Sequence, residues 1–589
     1  MFESLAHDLR AAHMTDAPQK YFAKTLLQSL GFAVLFAAAL YLLLNYFKFN
    51  LPFVDSLPWW VLYGFFCGIL PLAAFLLSYF TPKMKAASRK TRINLDLPYA
   101  ITYMQALSTT LTLYDIFRSV YEASDLYGEV SKECGLIVRD VELFGQDMAT
   151  AMENTMKITP SENFRELLND LLLVHRSGGD MRAFFNAKSE SYREIAKNEM
   201  DSLLQFLEMI AEVYVTAFVA GPIAVIIMII AQNLSGQDAI GNLMPLLFVG
   251  LPVGAVMLIS VLYVLLPANN ITVTKKEVHE TEFTPENVTD MGAALDKKFR
   301  RQIENRRMQN KIKNILLHPV KAYISTYVPA CVIGGALVLV VLGLYLGGIL
   351  RMVFPVYTLE TAVCIALIAA VLPLAAAYEI RARYVARVEK NLPEMLREIS
   401  DMKDIGMTLQ GAIQTISGHK AGVLSTEIKI VSEEIRYGSS LSGALVRMEE
   451  RIGLTTVKRA ISLLVRASEV TDYIREILAI AIADLEHYLK MKNKRFNVAF
   501  VYLAIIYLSV GIYLFAAYAM NVIFISSFAN FSVTFDTAGT TQQMFVIGII
   551  LSFFSGIMAG QLSANTMLSG LKHSIIMLVL TIIVFVVLI

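Results

Sequence analysis

The apolar positions of this chain fall into two kinds of stretch. Long unbroken runs cover about 25–47, 58–80, 207–232, 243–267, 327–350, 353–378, 497–525, 543–563 and 570–589. A helix needs about 20 apolar residues to cross the hydrocarbon core, so these runs predict about nine membrane helices. Between them lie two long polar blocks, 81–205 and 379–496, in which apolar residues recur at helical spacing. The first block shows Leu97, Ala100, Ile101 and Met104, then Phe164, Leu167, Leu168, Leu171 and Leu172. The second shows Leu392, Met395, Leu396 and Ile399, then Val457, Ala460, Ile461, Leu464 and Val465. Such i, i+3, i+4, i+7 stripes predict amphipathic helices, with turns at Gly178-Gly179 and Gly406. The expected fold is an all-α polytopic membrane protein with two repeated cytoplasmic helical bundles.

Lysines and arginines orient this map. With a cytoplasmic N-terminus and alternating spans, 49 of the 51 fall on the inside, and only Lys48 and Arg351 fall outside. Cytoplasmic segments carry such an excess, most tellingly near span ends, where Lys83, Lys85, Lys275, Lys276, Arg381, Arg383, Lys494 and Arg495 sit. The expected organisation begins with a cytoplasmic segment 1–24, a transmembrane hairpin 25–80 and a first bundle 81–205. A second hairpin 206–267 and a basic cytoplasmic linker 268–326 follow. A third hairpin 327–378, a second bundle 379–496 and three spans in 497–589 complete it, with the C-terminus outside. The last two spans could instead form one re-entrant pair.

The two polar blocks repeat each other. One offset, 293 residues, relates Gly145 to Gly438, Met148 to Leu441, Ala151 to Ala444 and Met152 to Leu445. Leu97-Pro98, which opens the first block's pattern, answers Leu392-Pro393, and Leu111-Thr112-Leu113 answers Met407-Thr408-Leu409. Gly128, Ser131 and Glu133 answer Gly422, Ser425 and Glu427. A hairpin precedes and follows each block, so one unit occurs twice, with an extra C-terminal span. The repeated motif is made of small and apolar residues. Its plainest role is packing: the glycines permit a tight helix start or crossing, Leu441, Ala444 and Leu445 face a core, and Ser439 or Ser440 caps the helix. Direct binding of a partner is the alternative.

The pattern Gly-x-x-Leu-x-x-Ala-Leu, opened by Leu-Pro and followed by Arg466-Ala467-Ser468-Glu469, resembles the type II secretion F domain. Two copies among many spans resemble the archaeal platform proteins of archaella and type IV pili. The first block departs from the pattern: Met148 and Met152 replace leucine, and Gly178-Gly179-Asp180 replaces Ser-Glu. The resemblance implies a non-enzymatic inner-membrane platform for an archaellum or adhesive pilus. It implies a hexameric assembly ATPase and prepilin or archaellin subunits as partners, a homodimeric state, and no nucleic acid.

Composition and charge refine this picture. At 56% apolar and 17% charged, the chain lies far from soluble domains, which carry about a quarter charged residues. The net charge of +1 averages over a net acidic first block and a net basic second block and linker. In the linker, Lys297, Lys298, Arg300, Arg301, Arg306, Arg307, Lys311 and Lys313 are opposed only by Asp296 and Glu304. That run either lies on anionic lipid headgroups or docks an acidic partner, which the resemblance makes the ATPase. Arg466, Glu469 and Asp472 of the second bundle are further docking candidates. Glu208 and Glu212, where the first block enters its span, are either solvated or couple the bundle to the membrane, with Pro222 further in as a kink.

No G-x-x-x-x-G-K-[ST], H-E-x-x-H or G-x-S-x-G motif is present, so no catalytic group, cofactor or metal is expected. Cys67, Cys134, Cys331 and Cys364 form no CxxC pair and read as buried free thiols. Two other classes remain. A secondary transporter built from parallel repeats predicts broken helices and polar groups near the bilayer midplane. A membrane signalling protein predicts an output domain.

Overall fold

The structure is a computed structural model. It describes residues 2–14, 16–29, 70–234, 240–265, 326–354, 358–418, 422–470, 474–524 and 537–588, with a few single positions besides. Among the described residues every regular element is helical. Six helices are long and apolar enough to cross a membrane: they lie within Met181–Val225, Val328–Leu346, Thr358–Asp404, Ile474–Ile523, Thr541–Ala564 and Met567–Leu588. A shorter apolar stretch is Gly250–Tyr263. The protein is thus multi-pass. These seven stretches fall on seven of the nine runs read from the sequence; the runs 25–47 and 58–80 lie largely outside the described residues.

The chain divides into two compact units, Met1–Ala196 and Lys197–Ile589. The first contains α1 (Phe2–Ala11), α2 (Leu70–Leu107), α3 (Leu113–Glu122), α4 (Ser124–Glu142), α5 (Met148–Ile158), α6 (Glu162–Ser177) and the start of α7 (Met181–Val215). Its core is Leu97, Ile101, Met104, Phe117, Val130, Ile137, Phe164, Leu168, Leu171 and Phe185, all inaccessible to solvent.

In the second unit α7 runs through a π-helical turn, Thr216–Ala220, into α8 (Gly221–Leu234). The turn precedes Pro222, whose missing N–H and bulky ring disrupt the i→i−4 ladder, so the expected kink takes this form. There follow α9 (Ile240–Leu265), α10 (Val328–Leu346), α11 (Ile349–Val353), α12 (Thr358–Asp404), α13 (Leu409–Ile416), α14 (Gly422–Arg436), α15 (Leu441–Ile452), α16 (Thr455–Val470) and α17 (Ile474–Tyr518). The last helices are α18 (Thr537–Ala564) and α19 (Met567–Ile582). One apolar cluster joins Leu207, Tyr214, Leu262, Ile506, Tyr513, Phe545, Met558 and Phe585. Buried hydroxyls in it find partners, as they must in a dry interior: the Tyr214 and Ser555 hydroxyls lie 2.8 Å apart, and Tyr513 donates to the Met544 carbonyl at 2.8 Å.

α18 and α19 form a hairpin held by close backbone approach. A Cβ added at Gly560 would lie 1.9 Å from the Gly570 nitrogen, and one at Gly556 would lie 2.1 Å from the Ser574 nitrogen. This is the small-residue packing that substitutes between membrane helices for hydrophobic drive. The Ser552 and Thr581 hydroxyls, 2.7 Å apart, tie the hairpin further. Both helices are long and apolar enough to span.

Helices α2 to α7 and α12 to α17 repeat in order. The repeat extends to cap chemistry. Thr112 caps α3 by accepting from the Asp115 amide at 3.3 Å, and Thr408 caps α13 through the Gly411 amide at 3.1 Å. Pro98 and Pro393 lie inside α2 and α12. Proline in a helix removes one backbone bond, but Leu97 and Leu392 are both fully buried, and the Thr102 hydroxyl donates to the Pro98 carbonyl at 3.0 Å. Packing overrides propensity here. Helices α2, α7, α12 and α17 run continuously across residues 81, 205, 379 and 496.

Candidate functional site

The repeated motif is a turn, a cap and a core contact. Gly145 and Gly438 adopt φ of 61° and 94°, a region costly to other residues. Directly before them, Phe144 and Tyr437 are exposed. Asp147 then caps α5 by accepting from the Thr150 amide at 3.2 Å, and Ser440, rather than Ser439, caps α15 through the Gly443 amide at 3.2 Å. Met148 and Leu441 are half-buried, while Ala151, Met152, Ala444 and Leu445 lie in the bundle cores.

The residues before each Leu-Pro make a second repeated contact, one not foreseen from the sequence. Gly128 and Gly422 have φ of 47° and 49°. A Cβ on Gly128 would approach the Asp96 carboxylate to 3.2 Å, and one on Gly422 would meet the Asn391 amide at 2.2 Å. Two residues earlier, Asn94 accepts from the Ser161 hydroxyl at 2.6 Å, and Glu389 accepts from the Thr456 hydroxyl at 3.4 Å. The offset is 295 residues for both partners. Thus Asn94-x-Asp96-Leu97-Pro98 and Glu389-x-Asn391-Leu392-Pro393 do the same work. The echo was present in the sequence, but only the fold shows what it packs against.

In the second repeat this contact is charged. Glu389, 6% exposed, accepts from Lys492 Nζ at 2.5 Å and from the Tyr488 hydroxyl at 3.2 Å, both on α17. Arg495, one turn along, is also buried. Ion pairs bind the neighbouring helices. Arg451 joins Glu427 and Glu434, each at 2.8 Å. Lys572 of α19 meets Glu379 of α12 at 3.1 Å, and Lys494 meets Asp201 of α7 at 2.5 Å.

The first unit has its own charged centre. Arg89 donates to Glu129 at 2.8 Å and to Glu133 at 2.6 Å; it also donates to the Ala11 carbonyl at the end of α1. His13 Nε2 lies 3.2 Å from Arg89 Nη2. Burial, followed by the Arg89 charge, pushes the His13 imidazole down to about 4. Burial raises Glu133. It pushes Glu129 upward too, but the Arg89 and Lys132 hydrogen bonds more than offset this and leave Glu129 below the usual range.

The remaining sequence candidates fall as follows. Glu208 and Glu212 are exposed on α7, on the side away from the buried Leu207, Ala211 and Tyr214. Arg301 and Arg306 are helical and exposed, and Arg466 is half-buried on α16. Lys297, Lys298, Arg300, Arg307, Asp472 and the side chain of Glu469 lie outside the described residues. Cys134 and Cys364 are buried, but Cys331 is exposed, which corrects the reading of buried thiols; its helix α10 leaves most side chains uncovered. Cys67 lies outside the described residues. Among the described residues no cluster of three or more His, Cys, Asp or Glu is placed to hold a metal.

Comparison with known proteins agrees with the internal repeat. Residues 104–229 and 395–520 each match the family described as Type II secretion system (T2SS), protein F. An uncharacterised protein of Methanocaldococcus jannaschii is 22% identical over 514 residues, covering 86% of this chain and 81% of its own length. Flagella accessory protein J of the same organism is 26% identical over 150 residues, 25% of this chain and 27% of that protein. No solved structure matches. The matched segments fall on the two six-helix repeats, so the chain carries two copies of a domain that matches the type II secretion system protein F family.

Proposed function

We propose that this protein is a membrane platform for assembly of a type IV pilus-like filament, an archaellum or an adhesive pilus. In this reading it has no catalytic role of its own. A cytoplasmic assembly ATPase docks on the bundles and the basic linker, and the membrane helices guide prepilin-like subunits into the filament. The observation that carries the reading is the paired F domain joined to its spans by unbroken helices: α12 and α17 each combine apolar and bundle segments in one rod. A rod of this kind passes displacement from bundle to membrane along one continuous helix. The similarity to flagella accessory protein J supports the filament class.

The transporter alternative is less well supported, because hydroxyls buried in the spans are engaged between helices. Ser552 faces Thr581 and Ser555 faces Tyr214. Docking is tested by pull-down of the assembly ATPase with the full chain. Reversal of Lys297, Lys298, Arg300, Arg301, Arg306 and Arg307 to glutamate is expected to reduce capture about tenfold or more, since complementary charge steers such encounters. Unchanged capture contradicts docking at the linker.

A further inference from the structure

We propose that Glu389 is shared between two positions on α17, Lys492 as in the present state and Arg495 one turn nearer the membrane, so that α12 slides along α17 between two registers. The inference rests on the platform reading and says how the bundle would move its spans.

Arg495 is the first observation. It is 7% exposed, and its Nε and Nη2 lack an acceptor among the described residues. The ionisable groups acting on it are the phenols of Tyr378 and Tyr488, neither of them a carboxylate. A buried guanidinium without a counter-ion is costly, and a second state that pairs it accounts for its retention.

The second observation is where the nearest exchangeable carboxylate stands. Glu389 is held by Lys492, whose side chain is 41% exposed, so the ammonium regains water readily on release. Lys492 and Arg495 are three residues apart and share a face of α17, separated by about 4.5 Å along its axis. Tyr488 donates to Glu389 and also acts on Arg495, so one phenol borders both positions. α12 runs from its apolar part into the bundle, and α17 runs from the bundle into its apolar part. A slide of α12 by about one turn toward the membrane end of α17 sets Glu389 opposite Arg495. One-turn jumps between packed elements are an established form of bistable packing. The planar guanidinium can then grip the carboxylate with two bonds.

The third observation is asymmetry. The first repeat has the uncharged Asn94 in the place of Glu389, bonded to Ser161. The first repeat keeps the contact without the charge pair that would give it a second position.

The test replaces the cell's own gene by variants of the full chain and reads two quantities: the melting midpoint of the purified protein and the number of surface filaments per cell. Arg495→Leu is expected to melt at or above wild type, because an uncompensated buried charge is removed, yet to lose filaments. The double variant Glu389→Arg with Lys492→Glu is expected to keep the melting midpoint without filaments. Adding Arg495→Glu is expected to restore them. Wild-type filament numbers in Arg495→Leu overturn the two-register idea. A lowered midpoint in that variant does so too, since Arg495 would then be a contact of the present state. If deleting the whole gene leaves filaments intact, the platform reading itself fails, which distinguishes the two failures.

Discussion

Gly422 and Gly438 both carry positive φ, but for different reasons. At Gly438 a Cβ meets nothing within 4 Å, so alanine there suffers only backbone strain, about 1–2 kcal/mol. At Gly422 the Asn391 side chain blocks the space as well. Gly422→Ala is therefore expected to lower the melting midpoint more than Gly438→Ala, and adding Asn391→Ala should narrow the gap. His13 makes a pH prediction. Free of its pocket it takes the ordinary value of about 6.5; docked beside Arg89 it is held near 4. The undocked segment therefore binds more protons between these values, and docking of α1 weakens as pH falls from about 6.5 toward 4. Proteolytic cleavage of residues 1–14 should rise over that window in wild type and lose its pH dependence in His13→Gln. The Ser440 cap and the turn at Gly438 were legible beforehand because one residue's chemistry fixes them. Glu389, Lys492 and Arg495 were not, since their meaning depends on which helices lie side by side.

At the scale of the element, the α18–α19 hairpin makes the sharpest demand. Gly556 and Gly560 press on the backbone of α19, whereas a Cβ added at Gly335 of α10 would meet nothing within 4 Å. Gly560→Leu is expected to destabilise the purified protein by at least about 3 kcal/mol by overpacking, and Gly335→Leu to be nearly neutral in the same thermal assay. Gly560 meets its partner Gly570 because the turn at Asn565 folds α19 back. Burial of Leu97 and Leu392 holds the adjacent prolines within long helices.

For the molecule as a whole, hydropathy and repeat spacing anticipated about nine apolar runs, seven of which carry apolar helical stretches among the described residues, and a duplicated helical pattern, because both are long-period patterns that survive ignorance of contacts. They could not show that the membrane and bundle parts share unbroken helices, since no local signal marks where a rod changes solvent. That continuity is what makes the platform reading mechanical. The most direct measurement is removal of this gene from its host, followed by electron microscopy of the cell surface and re-expression of the full chain. The platform account predicts that the type IV pilus-like filaments vanish, that subunits accumulate in the membrane, and that re-expression restores assembly. Filaments of normal number and length in the deletion strain would contradict it.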